Sequence, residues 1–412
     1  MFTLVVRYSV NVPVTDQYEF VPIFQKLDAG VVPLGDFWEQ HNEHRIVFPT
    51  IILVLLAKIT HWNILAEVYL SFFTACVAFI GLIGLINRRI INSTLKFGAI
   101  FLAAWIFFSP VQWENWLWGW QFEWFLCIAC IIWSINLLDK LEKKNGTPNK
   151  LLAPIGLAIV ATFSLGSGFL IWIAGLAMML IRNIKHQLLY LWSGITLISL
   201  GIYYFKYHKP ENGLSSTSFL QDLPSFLKNY LAFLGRPISD DTRVAVFAGL
   251  YILVGFIIVL GVIAYKKKIH DMAAIICMGA VGLAAGLLTG MARFDYGIAA
   301  SLSSRYTAFS NLIIISLIVM VIYLLQEIKY RKDWGTGLAM AAVFLIVVPA
   351  ISYGWRSGLN GIKIRSNLYT YIYNCSREVR PTHQCLYEIF FPDTVRAQDN
   401  LDYLKQKHYG GY

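Results

Sequence analysis

The chain has 412 residues, 57% of them hydrophobic and only 14% charged, with a mean hydropathy of +0.58. Those values exclude an ordinary soluble domain and fix the class as a membrane protein. The net charge of +10 would suit nucleic acid, but its distribution along the chain makes it a topology signal, and no nucleic acid is expected among the partners.

In chain order, residues 1–12 are apolar but rise only about 18 Å as a helix, short of a hydrocarbon core of about 30 Å. They are expected as a truncated first helix, and without a basic leading region or a small-residue cleavage site they do not form a signal peptide. A polar first outer loop follows over 13–63, and the apolar run 46–59 inside it is expected to lie in the outer interface. Full spans are expected over 66–86, 96–108, 115–138, 151–165, 167–181, 187–204, 244–265, 272–291, 307–326 and 335–353, in each of which lipid leaves the backbone no partner but a helix. A second long outer loop covers 207–243 and contains Lys209-Pro210-Glu211-Asn212-Gly213. It reads as a lid or as a solvated connector. The fold class is therefore an all-α polytopic bundle of about eleven transmembrane helices. The membrane domain covers 1–354, and a small extracytoplasmic segment covers 355–412.

Orientation comes from the basic residues. Arg88, Arg89 and Lys96 fall in one short loop, Lys140, Lys143, Lys144 and Lys150 in the next, then Arg182 and Lys185, Lys266–Lys268, and Lys329, Arg331 and Lys332. The intervening short loops at 109–114 and around Gly166 carry none, so the basic loops are assigned to the cytoplasm and the tail to the outside. Cys375 and Cys385 lie a short loop apart in that tail, where an oxidising compartment favours a disulfide. Cys127 and Cys130 share a CxxC spacing without a second pair nearby, and buried small hydrophobes are the better reading.

Candidate site residues gather on the expected outer face. An ionisable loop at one end of an apolar bundle is expensive to hold near lipid and marks a working end. Asp16 follows the first apolar segment, and His41, Glu43, His44 and Arg45 close the polar stretch Gln40-His41-Asn42-Glu43-His44-Arg45. His41, His44 and Glu43 carry the donor types of a divalent-metal site, but HxxH with one acid is a weak signature. Substrate hydrogen bonding and local helix capping compete with it. Glu114 stands at the mouth of a span, with Gln121 and Glu123 further in. Helical spacing would put Glu114, Trp118 and Gln121 along one side. The tryptophans between 113 and 124 read either as an interfacial belt or as a stacking wall for sugar rings. Arg293 and Arg305, the latter beside Tyr306, bring planar forks suited to phosphate, and an Arg293–Asp295 contact is the structural alternative.

The order of an apolar helix, an acid at its outer end, an amphipathic outer loop and many further spans resembles the GT-C glycosyltransferases that use polyprenyl-phosphate sugars. Four segments carry a narrower resemblance to a bacterial group of GT-C-like membrane proteins. They are Asp16-Gln17-Tyr18, the run Phe37-Trp38-Glu39-Gln40-His41-Asn42-Glu43-His44-Arg45-Ile46, Trp113-Glu114-Asn115 with Gly119 and Gln121, and Ser304-Arg305-Tyr306. The resemblance covers nearly the whole chain. It implies a multi-pass transferase of the bacterial cytoplasmic membrane, working on the extracytoplasmic side with Asp16 as general base. Many relatives have paired acids there, where this chain has Gln17. The implied partners are a polyprenyl-phosphate sugar donor, an acceptor of unassigned type and membrane lipids, with no cofactor required beyond the weak metal reading at His41 and His44. Glu114 would assist Asp16, while His41, Glu43, His44, Arg45, Gln121, Arg293, Arg305 and Tyr306 would contact substrate. The alternative is a lipid or solute transporter with the same polar cluster as a vestibule, and a non-catalytic scaffold is a third reading.

Overall fold

The structure is a computed structural model and describes residues 1–142, 146–208, 218–327, 333–390 and 392–412. Lys143, Lys144, Lys329, Arg331, Lys332 and residues 209–217 of the second long loop lie outside the described residues. Among the described residues the regular secondary structure is helical, apart from one isolated antiparallel bridge between His41 and His44. Among the described residues, seven helical segments are long and apolar enough to cross a membrane: Ile64–Arg89, Ser93–Leu117, Gly119–Leu138, Thr242–Tyr265, Ile269–Ala292, Ser304–Glu327 and Gly337–Cys375. The chain is a polytopic, all-helical membrane protein.

Local chemistry starts and stops these helices where expected. The Asn63 side chain accepts from the Leu65 amide at the head of Ile64–Arg89, and Asn92 and Asp241 cap two later helices in the same way. Arg88 and Arg89 occupy the last turn of Ile64–Arg89, where cations complement the exposed carbonyls. The helices Ile64–Arg89 and Phe122–Leu138 pack together, as do Ile269–Ala292 and Thr307–Glu327. Gly235 and Gly249 let the helix Leu223–Gly235 lie directly on Thr242–Tyr265: a Cβ at either would strike a backbone carbonyl of the other helix. Thr242–Tyr265 otherwise turns Phe247, Tyr251, Ile257 and Ile258 outward, as a lipid-facing helix does, whereas Gly119–Leu138 is enclosed by its neighbours.

The structure departs from the sequence expectation in three ways. The run 115–138 is not one helix: the chain is extended at Trp118, between Trp113–Leu117 and a 3-10 turn at Gly119–Gln121. The break brings Gly119 so close to Glu67 that no side chain fits there. Consequently Glu114, Trp118 and Gln121 do not share a helical face. The last span does not end near 353 but continues as one helix, Asp333–Cys375, through the expected boundary at 354/355. Its glycines explain the continuation, because Gly354 lies against the Pro237 carbonyl and Gly358 against the backbone at Pro110. Third, Asn149–Thr162 and Gly166–Ile181 are apolar helices too short to count among the seven, and His186–Tyr204 is a helix of 19 residues outside that set.

The segment after Gly354 is not free-standing. Cys375 and Cys385 form a disulfide, and the helix Thr394–Lys407 returns to the first loop, where Arg396 pairs with Glu19 at 2.7 Å. The Tyr403 hydroxyl donates to Asp28 at 2.7 Å, the Gly410 amide donates to the His61 carbonyl at 3.0 Å, and Lys58 closes on Asp28. The short helix Val47–Thr60 carries Lys58 and rises only about 21 Å.

Candidate functional site

Asp16 opens a 3-10 turn, Thr15–Phe20, that begins under strain. Thr15 has a φ of 47°, a left-handed value that β-branched residues rarely adopt, and its hydroxyl is buried without a partner among the described residues. Behind Asp16 the turn is bolted to the bundle. The Val14 amide donates to Gln17 Oε1 at 3.1 Å, Gln17 Nε2 donates to Glu67 Oε2 at 2.6 Å, and Trp62 Nε1 donates to Glu67 Oε1 at 2.8 Å. Gln17 therefore serves as a donor to a buried acid, which a second carboxylate at that position could not do.

The polar stretch 40–45 folds into a tight two-residue turn. His41 and His44 exchange both backbone hydrogen bonds at 2.8 Å, with Asn42 at a φ of 50°. The turn points His41 at Asp16, with Nε2 3.9 Å from Oδ2, and sets its ring 5.0 Å from Trp120. Glu43 meets Arg293 as a two-toothed pair at 2.8 and 3.1 Å, and Arg293 Nε donates to the Tyr306 hydroxyl at 3.2 Å. Arg293 thus pairs with Glu43, and the alternative ion pair with Asp295 is not formed among the described residues. His44 Nδ1 accepts from the Gly166 amide at 3.2 Å, which leaves the proton of the neutral ring on Nε2. Burial drives the His44 pKa down to about 4, so the ring is neutral at ordinary pH.

On the bundle side, Glu114 Oε2 accepts from the Ser303 and Ser304 hydroxyls at 2.9 and 2.7 Å and from the Arg305 amide at 3.0 Å. It anchors the start of Ser304–Glu327, whose first amides need an acceptor. The Arg305 guanidinium is within electrostatic reach of Glu114, Asp16 and Glu123. Burial raises the Asp16 carboxyl above its ordinary value, offset in part by His41 and Arg305, while 40% of its side chain stays exposed. A partly exposed carboxyl held above its ordinary value is a candidate proton acceptor.

The structure therefore brings Asp16, His41, Glu43, His44, Glu114, Arg293, Arg305 and Tyr306 to one end of the bundle. Arg45 is engaged differently: Nε donates to the Tyr203 carbonyl, Nη1 to Trp38 and Nη2 to Phe205, each at 2.7 Å, so it fastens the end of His186–Tyr204 to the loop. Gln121 is buried, and its Oε1 has no partner among the described residues. Trp116, Trp118, Trp120 and Trp124 are buried core rather than an interfacial belt. Among the described residues no three His, Cys, Asp or Glu side chains gather to hold a metal ion. His41 and His44 turn to different partners.

Two features escape sequence reasoning. Glu67 stands alone as an acid in an apolar helix, and that isolation was its only signal. A cavity of about 340 Å³ adjoins the entrance at Trp113, lined by Arg236, Asp240 and Arg365, and its two arginines are more than a hundred residues apart in sequence. Comparison with family models, with curated proteins and with solved structures gives no match.

Proposed function

We propose that the protein is a GT-C-type glycosyltransferase of the bacterial cytoplasmic membrane, moving a sugar from a polyprenyl-phosphate donor to an acceptor on the extracytoplasmic side. The eleven helices of this reading are the seven long apolar segments, the three helices Asn149–Thr162, Gly166–Ile181 and His186–Tyr204, and the short helix Phe2–Tyr8. The observation that supports it most is a partly exposed carboxylate, Asp16, next to the strained Thr15 and within electrostatic reach of the Arg305 guanidinium, with the Arg305 backbone amide held by the buried acid Glu114 at a helix start.

In the proposed step the acceptor hydroxyl attacks the anomeric carbon, its proton passes to Asp16, and the bond to the lipid phosphate breaks with inversion. The electron pair leaves on the phosphate, whose charge Arg305 offsets, with Arg293 beyond Tyr306. Glu114 acts as a positioning residue through the Arg305 amide. His41 orients Asp16, and His44 can donate from Nε2 to a sugar hydroxyl, whereas Gln121 Oε1 is enclosed by the protein. Purified protein supplied with polyprenyl-phosphate sugars should release polyprenyl phosphate. No release from any donor, together with solute or lipid movement in vesicles, would support the transport reading instead.

A further inference from the structure

Ile64–Arg89 has 26 residues, so its far end lies about 39 Å from its head near Glu67. At that far end Asp139, with a fully buried side chain, is shared by three guanidinium groups. Arg88 Nε donates to it at 2.9 Å, and Arg89 and Arg182 donate to its other oxygen. One carboxylate carries a single charge against the three arginines that share it. Nε of Arg89 and Nε of Arg182 are buried without a hydrogen-bond partner among the described residues, an arrangement that costs free energy unless something accepts from them.

Arg88, Arg89 and Arg182 line a recess of about 740 Å³, within the range of small-ligand sites. Lys268 lines the opposite wall, shared between Asp271 at 3.7 Å and Glu327 at 3.6 Å, so attraction for an anion concentrates on the arginine side. Asp271 and Glu327 line the recess on that same side with Lys268. Asn92, His270, Tyr323 and Gln326 supply the rest of the polar lining, and Ile91 at the rim is 83% exposed. Holding Asp139 would need one arginine. Three of them around an open cavity are a donor array, and the planar guanidinium fork matches phosphate oxygens.

We propose that this recess binds a phosphate-bearing anion at the end of the bundle opposite Asp16. The chemistry is shared by a lipid phosphate headgroup and a soluble phosphate compound, and the exposed Ile91 rim is compatible with an acyl chain alongside the first. The proposal does not depend on the transferase reading.

Full-length protein in detergent is equilibrated with mixed micelles of phosphatidic acid and phosphatidylcholine, and native mass spectrometry counts the lipid retained. In parallel, its melting temperature is followed against inorganic pyrophosphate with no anionic lipid present. Retention of phosphatidic acid about tenfold over phosphatidylcholine identifies the headgroup, and a saturable rise in melting temperature identifies the soluble anion. Arg88→Gln with Lys268→Gln leaves Arg89 and Arg182 on Asp139 and should weaken whichever signal appears by about tenfold. Lys268→Gln alone, outside the Asp139 cluster, guards against misfolding of the double variant and should weaken it about threefold. Absence of both signals in the unmodified protein, or unchanged binding by the single and double variants, overturns the proposal.

Discussion

Replacing Gly119 by alanine puts a methyl group against a side chain that has nowhere to go. The new Cβ would lie 2.6 Å from Glu67 Cβ and closer still to its carboxylate. Glu67 cannot swing aside cheaply, because both oxygens are engaged, one by Gln17 and one by Trp62. Overpacking of this kind costs about 1–3 kcal/mol. If the carboxyl is pushed off its donors, a buried unsatisfied group adds about 1–3 kcal/mol, so the total is about 2–6 kcal/mol. Gly156→Ala is the matched control: nothing lies within 4 Å of a Cβ there, on an exposed helical position, and the change should be neutral or stabilise by up to about 1 kcal/mol. Thermal unfolding in detergent, followed by tryptophan fluorescence, compares the two. Gly119→Ala should melt several degrees lower and Gly156→Ala should not. Equal melting temperatures would refute the claim that the turn carrying Asp16 is held through Glu67.

Glu43→Gln keeps the shape of the turn but removes the charge facing Arg293. It should lower donor turnover about tenfold, the scale of one charge-assisted hydrogen bond, with a smaller fall in melting temperature than Gly119→Ala. The docked tail should respond to acid. Asp28 is partly desolvated, yet hydrogen bonds from Lys58 and Tyr403 hold its carboxyl below the ordinary aspartate value of 3.8. A depressed folded-state value gives stability that is present above 3.8 and is lost as pH falls through the lower folded value. Hydrogen exchange should therefore show Thr394–Lys407 protected at neutral pH and loosened at pH ~3. Equal protection at both would remove Asp28 as the clasp.

Much of the architecture was legible because lipid leaves the backbone few choices, and apolar runs such as 244–265 can only be helices. The polar stretch 40–45 stood out for its chemistry, and the structure gathers its histidines and Glu43 beside Asp16 and Arg293. What could not be read was contact between distant segments. Arg45 resembled a substrate ligand because nothing in its neighbourhood reveals the carbonyls of Tyr203 and Phe205 that occupy it. The break at Trp118 depends on how near Glu67 comes to Gly119, and periodicity alone would carry a helix through it. The helix Asp333–Cys375 runs on past 353, through Pro349, because packing against 110 and 237 sustains it where apolar length alone sets an end.

The role of Asp16 is tested most directly by Asp16→Asn, assayed as polyprenyl phosphate released from a polyprenyl-phosphate sugar alongside the unmodified protein. The amide is nearly the same shape, so folding and donor binding should persist while turnover falls by ~100-fold or more, the scale of a lost general base. Under this account turnover by the unmodified protein should also rise with pH through a value above the ordinary aspartate pKa, because burial raises Asp16 and only its ionised form accepts a proton. Full turnover by Asp16→Asn, with the same pH profile, would contradict the assignment of the base.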